Sequence, residues 1–158
     1  DRPLYITQND IRAIQLAKAA LYAGIKLLMA RAGVTQVDRI RLAGAFGSHI
    51  DVKYAMALGL IPDCDLREVS SAGNAAGTGA RMALLNRGCR SQIERVVENI
   101  EKVETALADD FQQHFVDAMA IPHKKESFIK LSEILPLPAP KTTVRAGRGR
   151  RRRATARE

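Results

Sequence analysis

The sequence predicts an α/β fold: a short, mostly parallel sheet flanked by helices. Three observations lead there. Two short β-prone runs are present, helix-spaced apolar stretches surround them, and a glycine-containing turn follows each run. Strands alternating with helices are the pattern of an α/β unit.

The first element is a long helix. Thr7 followed three residues later by Asp10 reads as an N-cap with an acid at N3, a variant of the capping box. Ile11, Ile14, Ala17, Leu21, Ile25 and Leu28 recur at helical spacing, which predicts a helix over 8–32. Ile11, Ile14, Leu21, Ile25 and Leu28 are its expected core face. Gly33 supplies the left-handed residue that stops it, and Ala13, Ala17, Ala20 and Gly24 suit close approach to a sheet.

Residues 37–43 form the first β-prone run, ended by Gly44-Ala-Phe-Gly47. Asp51 then caps a short helix to Leu58, and Gly59 stops it. Pro62-Asp63 makes a turn before a second strand over 66–70. Residues 71–74 turn into a helix over 75–86, closed by Gly88. A further helix over 91–99, an edge strand over 100–105 and a helix capped by Asp109 and ending near Met119 complete the folded part.

Composition limits how this fold is packed. Apolar residues make up 46% of the chain, but aromatics only 4%, and Trp is absent, so Ala, Leu, Ile and Val must fill the core. The formal net charge is +8, yet residues 141–158 carry eight basic residues and one acid, which leaves +1 for the rest. The expected domain division follows, with a folded part over 1–135 and a Pro- and Arg-rich basic tail over 136–158. Such a tail buries too little apolar surface to offset ordering entropy, so disorder is expected. Arg150 to Arg153 could contact nucleic-acid phosphates without sequence selectivity, although no aromatic is at hand for base stacking. The bland alternative is a solubilising terminus.

Cys64 and Cys89 are too few for a disulfide framework or an iron–sulfur cluster, and read as reduced thiols of a cytoplasmic protein. No unbroken apolar run reaches the length of a membrane span, so no membrane partner is expected. The opening Asp-Arg-Pro-Leu has neither an initiator Met nor a signal-peptide pattern, which suggests part of a longer chain.

Two turns carry the chemistry. Gly44 and Gly47 can take positive φ, and without Cβ they admit a ligand to the bare main chain. Gly73 and Asn74 lead into a helix whose free N–H groups favour an anion or a polar ligand edge. Both turns fall at the C-terminal ends of expected strands, where open α/β sheets bind ligands. Neither matches a Walker or dinucleotide fingerprint, so tight turns serving only helix–sheet packing are the competing reading. No His, Asp or Glu earns a catalytic or metal assignment. His49 reads as a surface loop residue, His114 and His123 lack metal-spaced partners, and Asp51, Asp109 and Asp110 read as helix caps.

The order of motifs resembles the C-terminal segment of reductive activators of corrinoid proteins. These form a branch of the acetate/sugar kinase–Hsp70–actin superfamily of ribonuclease-H-like, actin-like ATPases. The matching stretches are 6–20, Leu42-Ala-Gly-Ala-Phe-Gly47, Gly59-Leu-Ile-Pro62, Gly73-Asn-Ala-Ala-Gly-Thr-Gly-Ala80 and 111–119. The resemblance implies that Gly44, Ala45, Phe46 and Gly47 correspond to the adenosine motif beside ATP, with Ala45 where the family usually has a second glycine. Gly73 and Asn74 would form part of the same pocket wall. It further implies Mg bound with the ATP, phosphate loops and metal carboxylates preceding this segment, and a 2Fe-2S cluster further upstream. The implied partner is a corrinoid protein of a methyltransferase system, whose cobalt receives an electron; a homodimer stays open. On this reading the segment alone is catalytically inactive. A dehydratase activator is the alternative within the superfamily, and a non-catalytic binding module with an Arg-rich tail the alternative outside it.

Overall fold

A computed structural model describes residues 3–138. The Arg-rich tail, with its expected disorder and nucleic-acid reading, lies outside the described residues from 139 onward.

Helix α1 (Gln8–Arg31) starts as its sequence dictates. The Thr7 hydroxyl accepts from the Asp10 amide, and the Asp10 carboxylate accepts from the Thr7 amide, closing the capping box. The Thr7 hydroxyl also donates to the Asp10 carboxylate at 2.7 Å, and this bond, with that from the Thr7 amide, holds the Asp10 carboxyl below its usual range. Gly33 takes φ +67° just past the C-cap, as a left-handed stop requires. Strand β1 (Ile40–Ala43) follows, then the short helices α2 (Ala45–His49) and α3 (Val52–Leu58). Asp51 caps α3 through Lys53 N and Tyr54 N, and Gly59 ends it at φ +74°.

Strand β2 (Val69–Gly73) pairs parallel to β1, in the register Ile40↔Val69, Arg41↔Ser70, Leu42↔Ser71 and Ala43↔Gly73, with a shift after Leu42. Helix α4 (Ala75–Leu85) leads directly into α5 (Arg87–Glu98), and α6 (Phe111–Ala118) and the single-turn α7 (Ile129–Ser132) close the described chain. Ala19, Tyr22, Ala55, Met56, Ile61, Cys64, Val69, Ala118, Phe128 and Leu131 form the core, with Leu135 and Leu137 packed against it.

Several expectations need correcting. The strand expected over 66–70 shifts to 69–73, because the Asp65 carboxylate accepts from Arg67 N and folds 66–68 into a 3-10 turn. The first strand begins only at Ile40. The helix expected to close at Gly88 ends at Leu85: Asn86 Oδ1 accepts from Gly88 N and starts α5 at once. No strand forms over 100–105. Val103 and Thr105 instead line a cleft on α1, and Glu101 pairs with Arg31 at its end. Asp109 does not cap α6; Asp110 holds the N-cap position without a side-chain bond.

The largest correction concerns α1 itself. The face it buries is Lys18, Ala19, Tyr22, Ala23, Leu27 and Met29, not the expected one. Ile11, Ile14, Leu21 and Leu28 are exposed, and Ile25 is only half-buried. The small residues it buries are Ala19 and Ala23, whereas Ala13, Ala17 and Ala20, expected to approach a sheet, are exposed. Helix α6 is its most extensive helix partner, and no described element covers the larger apolar side chains. By length and composition α1 is also the one described helix that could cross a membrane. Its middle, however, buries Lys18 against protein carbonyls.

Candidate functional site

The site is set by where two neighbouring parallel strands stop. Beyond Ala43, Gly44 takes φ +94° and ψ 171°, a conformation that side chains other than hydrogen rarely permit, and α2 starts at the next residue. Beyond Ala72, Gly73 takes φ +60°, and Asn74 caps α4 by accepting from Gly77 N at 2.9 Å. The two turns are tied together, for Gly44 N donates to Gly73 O at 2.8 Å. Thus Gly44, Gly73 and Asn74 come together at the C-terminal edge of the sheet.

Space around them is unequal. A Cβ built on Gly44 or Gly73 meets nothing within 4 Å, so bare main chain faces outward at both. Gly47 is different. It is buried, and a Cβ there would lie 2.9 Å from the Leu42 Cβ and 3.0 Å from the Leu42 carbonyl oxygen. Its missing side chain lets α2 fold back on β1. Ala45 and Phe46, expected within a turn, occupy the first turn of α2. Phe46 is 74% exposed and borders an apolar cleft of about 180 Å³, shared with Leu21, Leu42, Ile50 and Leu60.

Sequence reasoning missed two hydroxyls at this edge. Ser48 Oγ donates to Gly44 O at 3.1 Å and lies 3.4 Å from Ser71 Oγ, which in turn accepts from Gly73 N at 3.1 Å. Both serines are exposed. Ser71 sits inside the stretch read as a turn, and the strand's shift to 69–73 is what points it at Ser48. His49 is exposed at the end of α2. Arg41 Nη1 donates to Ser70 Oγ at 2.5 Å on the same sheet. The edge offers open space over Gly44 and Gly73 and the Ser48 and Ser71 hydroxyls, while the apolar cleft beside Phe46 is lined by Ala43 and Gly47 but not by Gly44, Gly73 or Asn74.

A polar seam holds the opposite side of α1. Gln15 Nε2 donates to Met119 O at 3.0 Å, and Lys18 Nζ donates to Ala120 O and, at 2.6 Å, to Pro122 O. Tyr22 donates its hydroxyl to Glu126 Oε2 at 2.6 Å, and Lys26 pairs with Glu126 Oε1 at 3.0 Å. Burial lowers the Lys18 ammonium to about 8 and, with Glu126, pushes the Tyr22 phenol up. The spacing 15, 18, 22, 26 is one helical stripe, and polar residues on it among alanines were the available signal.

A mostly helical surround and a two-stranded parallel sheet, with each strand feeding a helix start through a left-handed glycine, define part of an ASKHA, actin-like domain. The chain belongs to the family described as the C-terminal domain of RACo, the ASKHA domain, whose model matches residues 1–132. It is 44% identical over 105 residues to the corrinoid activation enzyme RamQ of Eubacterium limosum, a match covering 63% of this chain and 18% of that one. A solved structure, the reductive activator for corrinoid, iron–sulfur protein, superposes with a TM-score of 0.68 at 35% identity. That match covers 75% of this chain and 19% of the other. The chain therefore spans under a fifth of the length of the relatives it matches.

Proposed function

We propose that residues 1–135 form the last segment of the actin-like ATPase domain of a cytoplasmic reductive activator. In the whole protein, ATP would favour the complex in which an electron reaches the cobalt of a corrinoid partner. Gly44, Ala45, Phe46, Gly47, Gly73 and Asn74 form its nucleotide-binding edge. The observation that carries the reading is the bonded pair Gly44–Gly73, with open space where each side chain would stand, at the C-terminal edge of a parallel sheet. Family membership and the named activities of the two relatives support it.

Roles divide by geometry. Gly44 and Gly73 admit the nucleoside to bare main chain, Phe46 offers a ring face beside the cleft, and Asn74 fixes the start of α4. Gly47 acts at one remove, by seating α2. Mg and the phosphates would be held by residues outside this chain, as would the 2Fe-2S cluster, and a dimer would form through the whole activator. Cobalt(I) corrinoids are hard to reach by reduction, so the free energy of nucleotide binding must be coupled to a conformation in which transfer proceeds.

The test is ATP affinity of the full-length activator by calorimetry. Phe46→Ala removes an exposed ring at little cost to folding and should weaken binding several-fold, about 1 kcal/mol. Gly44→Val, which also strains the backbone, should weaken it further. Unchanged affinity in both variants, with melting profiles showing folded protein, would reduce the pair of turns to packing devices.

A further inference from the structure

The turn between α6 and α7 is built around a histidine used as an acceptor. His123 Nδ1 receives the Lys125 amide at 3.2 Å and the Glu126 amide at 3.0 Å. This copies an Asx turn, with imidazole in place of the carboxamide. The ring lies against Tyr22, their centroids 5.0 Å apart. We propose that His123 is a protonation-gated latch: its neutral ring holds the 123–126 turn onto α1, and a proton on Nδ1 releases it.

The gate rests on the single lone pair of Nδ1. Nδ1 can receive two N–H groups only while it is unprotonated. A proton there would face two donors, so the turn must open or the ring must swing out. Glu126 loses its placement in either event. Its carboxylate takes the Tyr22 hydroxyl and the Lys26 ammonium, the hydrogen bond and ion pair that tie α1 to residues 123–126. Glu126, Lys26 and Ser127 also wall a cleft of about 450 Å³ that continues to Asp63 and Lys130, so release would reshape that cleft.

Four charged groups enter the balance. From α1, Lys18 and Lys26 disfavour the imidazolium; Glu126 in the turn and Asp117 on α6 favour it. Burial is the largest influence and, with the two lysines, outweighs the carboxylates and sets the ring below its usual value. The folded state thus holds fewer protons than the unfolded one as pH falls through about 6.5. The latch is fully closed above that pH and weakens below it, toward the lowered folded value. Glu126 and Asp117 are themselves held below their usual carboxyl ranges, so their protonation belongs to a more acid window.

The experiment follows His123 by NMR in the whole chain, alongside hydrogen-exchange protection factors of the Lys125 and Glu126 amides, between about pH 7 and pH 5. Protection should fall by as much as about tenfold per pH unit inside the His123 titration window. His123→Asn supplies a carboxamide acceptor that does not titrate, so protection should persist to the carboxyl range. His123→Ala should lose it at every pH. Protection that stays constant while the ring titrates, or that declines alike in the Asn variant, would overturn the latch.

Discussion

At Gly59 the backbone turns left-handed at φ +74°, and a Cβ there would overlap the Pro122 carbonyl oxygen and come within 2.9 Å of Lys18 Nζ. Strain and collision therefore add. Gly33 shares the left-handed turn, at φ +67°, but has open space around it. Gly33→Ala should cost about 1 kcal/mol in denaturant unfolding, and Gly59→Ala several times as much, because Lys18 must also give up its carbonyls. Equal losses at the two sites would mean that the clamp of Lys18, Pro122 and Gly59 contributes nothing. Lys18 itself predicts a pH effect. Its folded value of about 8 lies below the ordinary 10.5, so the unfolded chain binds the extra proton between those limits. Stability should rise with pH there, by up to about 1.4 kcal/mol per unit. The slope should vanish in Lys18→Met.

Single elements show where local sequence decides and where it does not. The Thr7–Asp10 capping box, Asp51 at α3, and Gly33 and Gly59 as stops were all legible, because each is a contact within one turn of chain. The short helix α7 was not. Its first amides, Lys130 N and Leu131 N, donate to the Asp63 carboxylate at 2.9 and 3.1 Å, and that cap comes from 67 and 68 residues away. No local pattern can announce such a cap. Asp63→Ala should therefore unseat α7 and the buried Leu131, costing about 1–2 kcal/mol. Exchange measurements would show amides 130–135 losing protection first, while α1 keeps its own. At the candidate site the same division holds. The glycines at strand ends were readable as turns, whereas Ser48 meeting Ser71 depends on the parallel register, and Gly47 packing on Leu42 depends on how α2 folds back.

Taken whole, the molecule buries one side of α1 and leaves the other bare. The helical period was read correctly, but period alone does not say which apolar stripe meets a partner within this chain. Ile14, Leu21 and Leu28 are 44%, 49% and 57% exposed, and a cleft of about 270 Å³ runs beside Leu21 and Leu28. Helices α4 and α5 bury no residue at all. Exposed apolar side chains repeated along one stripe of α1 suit an interaction face better than a solvated one. Since the matched relatives are about five times longer than the stretch this chain covers, the covering surface on the reading above is the remainder of the activator. A double substitution separates that reading from a face exposed in the mature protein. In this chain alone, Leu21→Ser with Leu28→Ser should change unfolding free energy by less than about 1 kcal/mol and raise solubility. In the full-length activator the same pair should cost several kcal/mol, as buried leucine truncations do, and should lower the melting temperature. Matching, small effects in both settings would leave α1 facing water and would separate this segment from the body proposed to complete its nucleotide cleft.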